Sequence, residues 1–290
     1  MRAADRLFGL PTMLGLVTAM AADAADPPTW SGVLETGATQ AAQARTDGDD
    51  LTVGEAWMES RLYWQPRLGV RLGLGAGGDV HRYDGAPRTA TGDELMLRLP
   101  ATVMFSEHWG FTSLSSWGNG TLREAQPHAG HHWQIEAGAL YVRDSDHLIA
   151  LTAVATSQQG RRPSFIPLIS AFWRFDQDWS LTVVDEVDDQ SRLTRRMSER
   201  WELSLLVDAR FYDYSLTRGE DGSAVLDDER AIVGIEAGWR PLGDERLLVR
   251  PFIGAVVARR VAVLTSDGDD LATRWVRPAP AAGLNLRAGF

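Results

Sequence analysis

Residues 200–212 read RWELSLLVDARFY, and this stretch decides the fold. Every second residue from Trp201 to Phe211 is apolar, whereas Glu202, Asp208 and Arg210 lie on the opposite face of an extended chain. Successive side chains of a β-strand point to opposite sides of the sheet, so this period of two predicts a strand. Three further runs repeat the pattern: ELMLRLPATVMF (94–105), HWQIEAGALYV (132–142) and ERAIVGIEAGWRP (229–241).

Composition narrows the class of protein. The 290 residues contain no cysteine, which excludes disulfides, thiolate metal sites and cysteine nucleophiles. Arg2 and Arg6 precede an apolar run from Leu7 to Ala21 with small residues after it, so residues 1–24 are expected to be a signal peptide. An exported chain of net charge −10 is not expected to bind nucleic acid. Because no later stretch has 18 continuous apolar residues, the candidates are a secreted β protein and a transmembrane β-barrel.

The breaks between the runs alternate in length. Short polar turns alternate with long breaks near 82–92, 118–131, 156–164, 213–228 and 264–271. Short turns at one end and long loops at the other are typical of outer-membrane barrels. Two short strands within 178–198 and a weak first strand within 30–42 give up to 14 strands, with 12 as the fallback. We therefore predict an all-β, transmembrane, antiparallel up-and-down β-barrel over 51–290, with 25–50 as either a first strand or a plug. The short turns are QPRLG (65–69), SEHWG (106–110), RDSDHL (143–148), FDQDWSL (175–181), MSERWEL (197–203) and PLGDERL (241–247).

Aromatic placement favours the barrel over a soluble β-sandwich, which alternates in the same way. Aromatic residues occur in pairs eight positions apart, such as Trp109 and Trp117, and each pair shares one face of a strand. Such a pair spans about 20 Å along the membrane normal, close to the height of a lipid-facing band. The chain ends on Phe290, which completes the alternation of AAGLNLRAGF; its deletion is expected to impair insertion more than the stability of the folded barrel. The expected aromatic girdle is Trp109, Trp117, Trp133, Tyr141, Phe165, Trp173, Trp239 and Phe290.

The polar faces of the same strands are expected to line the lumen. Charges of both signs there can remain wet or pair across the interior. The predicted lumen residues are Glu55, Glu59, Arg61, Arg71, Glu94, Arg98, Glu136, Glu202, Asp208, Arg210, Glu236, Arg250 and Arg287.

The middle of the chain resembles a known family. The stretches RPSFIPLISAFWRFDQDWSL (162–181) and SRLTRRMSERWELSL (191–205) are similar to uncharacterised outer-membrane β-barrels of the domain-of-unknown-function 6268 type. There, a proline-containing apolar strand, an acidic turn leading into Trp and a short strand pair precede a longer aromatic strand. The resemblance implies the outer membrane of a Gram-negative bacterium, with lipid, lipopolysaccharide and the barrel assembly machinery as partners. It implies no catalytic or binding residues.

Two segments contain metal-ligating residue types. TDGDDL (46–51) and SDGDDL (266–271) are the first and last outer loops of a 14-stranded barrel, so closure makes them neighbours. Their carboxylates suit Ca²⁺ or Mg²⁺, although two Asp-Gly turns explain the same residues without an ion. The three histidines of PHAGHHW (127–133) form either a transition-metal site or an ordinary polar loop. The candidate Ca²⁺ or Mg²⁺ ligands are Asp47, Asp49, Asp50, Asp267, Asp269 and Asp270.

These patterns predict a passive pore for small solutes through a charged lumen. A barrel of 12 to 14 strands lies between side-chain-filled and open barrels, so Arg–carboxylate pairs, inward loops or residues 25–50 can close it. The alternative is a barrel without transport, with a structural or adhesin-like role. An outer-membrane hydrolase is less expected, because no nucleophile motif is present.

Overall fold

The computed structural model describes residues 29–45, 50–67, 69–84, 90–122, 131–157, 164–184, 190–217, 223–244, 246–265 and 269–289. In that part of the chain, no helix is long and apolar enough to cross a membrane. The strands are β1 (Thr29–Arg45), β2 (Asp50–Arg67), β3 (Val70–Asp84), β4 (Ala90–Met104), β5 (Trp109–Leu122), β6 (His131–Asp144), β7 (His147–Ser157), β8 (Ser164–Arg174), β9 (Trp179–Val183), β10 (Gln190–Arg196), β11 (Trp201–Thr217), β12 (Ser223–Trp239), β13 (Leu247–Thr265), β14 (Asp270–Val276) and β15 (Ala279–Gly289).

The strands close into a barrel. Each strand from β1 to β13 pairs antiparallel with the next, and β15 pairs with both β13 and β1. Because β14 and β15 pair with successive parts of β13, they form one wall strand interrupted at Arg277 and Pro278. The prediction of an all-β antiparallel barrel is therefore confirmed, with 14 strands in the wall.

Residues 29–45 belong to the wall. In β1, Glu35 pairs with Glu59 of β2 and with Arg287 of β15, so the strand is bonded on both sides. The described barrel wall therefore includes 29–45, ahead of residue 51, and in this range the chain is a wall strand and not a plug. The sequence signal was weak because Gly, Ala and Thr replace the large apolar residues over much of the outer face.

The two ends of the barrel differ as the pattern of breaks predicts. We call the end with the short connections the turn end and the opposite end the loop end; the six short turns all lie at the turn end. One predicted loop, 213–228, is wrong in extent. There β11 and β12 continue their ladder as far as Thr217 and Ser223, because a hairpin retains backbone pairing beyond its apolar face.

Prolines occur where a ladder is interrupted. Pro100, Pro251 and Pro280 each pair with one neighbouring strand and lie at a break in the ladder on the other side. Pro167 pairs with Ala153 of β7, and β9 begins to pair with β8 only at Ala171. Proline has no N–H to donate, so these positions spare it a lost hydrogen bond.

The wall is uneven in height. β9 has 5 residues and β10 has 7, whereas β11 has 17. At the loop end, Ser215 of β11 pairs in parallel with Thr121 of β5, past the shorter strands between them. The β5–β11 contact closes a smaller ring, which runs from β5 through β1 and β13 to β11 and contains nine wall strands. Side chains fill the interior of barrels with about eight strands. The contact therefore narrows the loop end of the barrel.

Candidate functional site

The barrel is apolar outside and charged inside. Leu95 and Ile253 are 73% and 70% exposed, whereas Glu236 and Asp228 are fully buried. Soluble proteins reverse this arrangement, because charged residues are almost never fully buried unless paired. The outer surface therefore suits an apolar solvent, and the interior has to satisfy its charges internally.

Aromatic side chains form cross-strand pairs on the outer surface. Near the turn end, the rings of Trp201 and Trp239 stack 6.1 Å apart, and those of Trp109 and Tyr141 are 4.9 Å apart. Trp117 and Trp133 are paired nearer the loop end, and both are exposed. Trp173 is half-buried against His147, while the side chain of Phe165 and all of Phe290 lie outside the described residues. Further exposed aromatics absent from the sequence prediction are Trp30, Trp64, Phe105, Phe111, Phe175, Trp179, Trp201 and Trp275.

The predicted lumen residues all lie in the interior. Glu136, Arg210 and Arg250 are half-buried and the other ten are buried. The same alternation places further charged residues there, and Glu35 was missed because its strand was poorly marked. An aromatic residue, Trp57, also lies in the interior, and the guanidinium of Arg210 lies over its ring. The additional interior charged or ionisable residues include Glu35, Asp79, His81, His132, Arg192, Asp228, Arg230, Arg240 and Arg259.

A set of contacts crosses the lumen near the loop end. Glu55 on β2 pairs with Arg230 on β12 and lies 3.4 Å from Arg210 on β11. The Tyr83 hydroxyl on β3 donates to Asp228 on β12, at 2.7 Å. We call these two groups of contacts the cross-lumen pairs. They join opposite walls directly, so little open lumen remains at their level.

The network continues along one wall towards the turn end. Gln190 on β10 donates to Asp208 (3.2 Å) and also contacts Arg192, which donates to Glu236 at 3.0 Å. Arg250 then lies 3.5 Å from Glu236 and donates to Glu202 at 3.2 Å. The last link passes over Gly238, where a Cβ would lie 2.5 Å from Cγ of Glu202. Glycine at this position therefore gives the carboxylate the space it occupies.

One half of the interior contains the cross-lumen pairs and this network, and its charged side chains are paired and largely shielded from solvent. A buried ion costs several kcal/mol of desolvation unless a partner and hydrogen bonds compensate it. Every basic residue of the chain is arginine, whose planar fork binds carboxylates through two donors. The same groups regain hydration when they separate, so part of the desolvation cost is recovered when a pair opens.

The other half of the interior contains a cavity of about 70 Å³. Its lining includes Arg98, Ser116, His132, Glu136, Leu168 and Val184. Three ionisable side chains of the lining have partners: His132 lies 2.9 Å from Glu94, Arg98 lies 3.2 Å from Glu59, and Glu136 accepts from the Thr152 hydroxyl at 2.6 Å.

Local packing shapes this cavity. The His132 ring passes over Gly118 to reach Glu94, since a Cβ at Gly118 would lie 2.5 Å from its Nε2. Towards the turn end, an apolar cluster that includes Leu140, Leu148 and Phe172 packs between β6, β7 and β8. This cluster lies on the turn-end side of the cavity-lining residues of β6 and β8.

The metal predictions fall largely outside the described residues. Asp47, Asp49, Asp267 and His128 are not described, nor are the side chains of Asp50 and Asp270, and Asp269 is exposed. The prediction places the two acidic loops side by side at the seam. Among the described residues, the β1–β15 ladder ends at Ala41 and Ala281, and β14, which follows the second acidic loop, pairs with β13. His131 and His132 lie on opposite faces of β6. No group of three or more His, Asp or Glu suited to a metal occurs among the residues that the structure describes.

Comparison with known proteins finds barrels. No family model matches the chain and no curated relative is found, so the family resemblance stays a prediction. An outer-membrane channel from Pseudomonas putida F1 is similar in structure, with 11% identity, a TM-score of 0.48 and coverage of 92% of this chain and 97% of that one. A FadL homologue from Pseudomonas aeruginosa has 9% identity, a TM-score of 0.45 and coverage of 99% and 95%. The translocator domain of the autotransporter NalP from Neisseria meningitidis has 10% identity, a TM-score of 0.39 and coverage of 95% and 94%. Similarities at this level do not specify a function.

Proposed function

We propose that the protein is a channel of the Gram-negative outer membrane that is closed at rest by its own ion pairs. The apolar outer surface with aromatic pairs towards both ends supports the location, and the turn end then faces the periplasm. Export through a cleaved signal peptide, insertion by the barrel assembly machinery and contact with lipopolysaccharide belong to the same proposal.

The cross-lumen pairs carry the proposal for transport. They occupy the lumen with charged side chains, and these side chains can separate and become hydrated. A barrel of this size with the pairs open has room for small solutes, because open pores begin only slightly above this strand number. Closure then lies in a few side chains rather than in the wall.

Planar-bilayer recording tests the proposal. The wild-type protein is expected to show rare, brief openings, and the double variant Glu55→Ala/Asp228→Ala is expected to open more often and to conduct more. The matched control is Glu107→Ala, in an exposed turn residue, which leaves the lumen unchanged. A double variant that is folded and opens no more often than the wild type would contradict the proposal.

A second candidate is a barrel without transport that stiffens the envelope or presents its loops for binding. The observation that favours it is that the cross-lumen pairs near the loop end and the apolar cluster of Leu140, Leu148 and Phe172 towards the turn end both fill parts of the interior. Silence of every variant supports this candidate. The absence of catalysis, expected from the sequence, stays a prediction in either case.

A further inference from the structure

A row of three hydrogen-bonding side chains crosses the lining of the cavity. The antiparallel registers place Arg98 of β4 opposite Ser116 of β5, and Ser116 opposite Gln134 of β6. All three residues line the cavity, and we call them the polar row. Neighbouring strands lie about 4.8 Å apart, so the polar row extends about 10 Å across the wall. It brings a guanidinium, a hydroxyl and an amide to one stretch of the lining.

One donor of the polar row has no acceptor. Arg98 is 9% exposed, and its Nη1 lies 3.2 Å from Oε2 of Glu59. Its Nη2 contacts Sδ of Met96, a weak acceptor, at 3.6 Å. Its Nε is buried and has no acceptor among the residues that the structure describes. A buried donor without an acceptor is costly, and more so on a charged group, so an acceptor oxygen bound in the cavity is favoured beside Arg98.

Four apolar side chains make up much of the remaining lining. They are Met96, Leu114, Leu168 and Val184. On the scale of one water per 10–15 Å³, a cavity of 70 Å³ holds about five waters or one small organic molecule. A few polar groups in a partly apolar pocket are typical of sites for small molecules, in which the polar groups fix the orientation of the ligand.

The charges of the lining favour an uncharged ligand. Arg98 and Glu136 both line the cavity and have opposite charges, and His132, the third ionisable residue there, lies 2.9 Å from Glu94. A bound cation would face Arg98, and a bound anion would face Glu136. Like charges repel more strongly in a buried site than in water, so a ligand of either charge is disfavoured. A neutral ligand meets neither repulsion.

We infer that this cavity binds one small, uncharged solute whose oxygen accepts a hydrogen bond from Nε of Arg98 and whose apolar part contacts Leu168 and Val184. Small amides, ketones and alcohols belong to this class. The lining shares no residue with the cross-lumen pairs, so the site is separate from them. The inference adds a substrate class to the proposed channel and rests on that proposed function, whereas binding itself is measured without transport.

Protection of a cysteine from labelling tests the inference, since the chain has no cysteine of its own. Ser170→Cys places a thiol in the lining but outside the polar row, Ser204→Cys places one in the packed half of the interior, and Glu107→Cys places one in an exposed turn. The reagent is methyl methanethiosulfonate, which is small and uncharged, and the barrel is refolded in lipid vesicles. The added solutes are butyramide, which is uncharged, and butyrate and butylammonium, which are similar in size but charged. Heat-shifted gel migration checks that each variant is folded.

Butyramide is expected to slow the labelling of Ser170→Cys in a saturable way and to leave Ser204→Cys and Glu107→Cys unaffected. Butyrate and butylammonium should protect Ser170→Cys much less at the same concentration. Adding Arg98→Lys keeps the positive charge but removes Nε, so it should weaken the protection by butyramide about ten-fold, the effect of one hydrogen bond to a charged group. The matched control is Arg71→Lys, at a buried interior arginine outside the lining, which should leave the protection unchanged.

Three results would overturn the inference: labelling of Ser170→Cys that butyramide does not slow, equal protection by butyramide and a charged solute, or full protection in the presence of Arg98→Lys. A Ser170→Cys variant that is labelled only after unfolding also counts against it, because solutes then do not reach the cavity. None of these results involves conductance. Failure of the channel proposal appears separately, as silence of Glu55→Ala/Asp228→Ala in bilayers while protection by butyramide persists.

Discussion

Replacing Glu55 by Gln removes the charge that faces both Arg210 and Arg230 from the opposite wall. The Glu55 side chain is 1% exposed, so the two arginines lose a partner in a dry environment. Removing one member of a buried ion pair costs about 3–5 kcal/mol. Arg210 and Arg230 retain Asp208, at 2.9 and 3.4 Å, and Gln preserves the shape of Glu55. We therefore expect the lower end of this range, a loss of about 3 kcal/mol in the free energy of unfolding.

Urea unfolding of the refolded barrel in lipid vesicles, followed by tryptophan fluorescence, measures this loss. Glu107→Gln, the same substitution at an exposed turn, should change the free energy of unfolding by no more than about 0.5 kcal/mol. After Glu55→Gln, two arginines share the single carboxylate of Asp208; adding Arg230→Met removes the excess positive charge and should restore part of the stability. If Glu55→Gln is as stable as Glu107→Gln, the pairs across the lumen do not hold the walls together.

Three other predictions concern separate parts of the barrel. Gly118→Val should displace His132 from Glu94 and lower the free energy of unfolding in urea by about 1–3 kcal/mol. A change smaller than the experimental error would show that the His132 ring can move aside without loss of stability. Trp117→Phe should reduce fluorescence quenching by brominated lipids, while Trp57→Phe should leave it unchanged. The reverse result would show that Trp57, rather than Trp117, faces lipid. The Arg246 amide and guanidinium lower the pKa of Asp244 below its ordinary 3.8, so the stability this turn contributes is complete above that pH and lost as the pH falls below it. Asp244→Ala should therefore be less stable than the wild type at pH 7 and equal to it at strongly acidic pH, and a constant difference would contradict the reasoning.

The sequence by itself determined which way each strand faces. Alternation is a local property, so residues such as Leu95 and Glu202 are assigned to outside and inside without knowledge of their neighbours. The short turns follow from the same reading, because a polar break of a few residues can only reverse an antiparallel pair. Local reading was insufficient where the pattern was faint, as in β1, and where a hairpin extended beyond it, as in β11 and β12.

Only the tertiary structure decided which interior charges meet and where they cross the lumen. Glu55 and Arg210 are 155 residues apart, and Tyr83 and Asp228 are 145 apart. Their contact depends on how the strands are staggered when the ring closes and on the β5–β11 contact that draws opposite walls together. A period of two records the face of a residue but not its height or its partner across the lumen. The cavity is likewise a product of closure, because its lining residues come from β4, β5, β6 and β8 and from Val184 after β9.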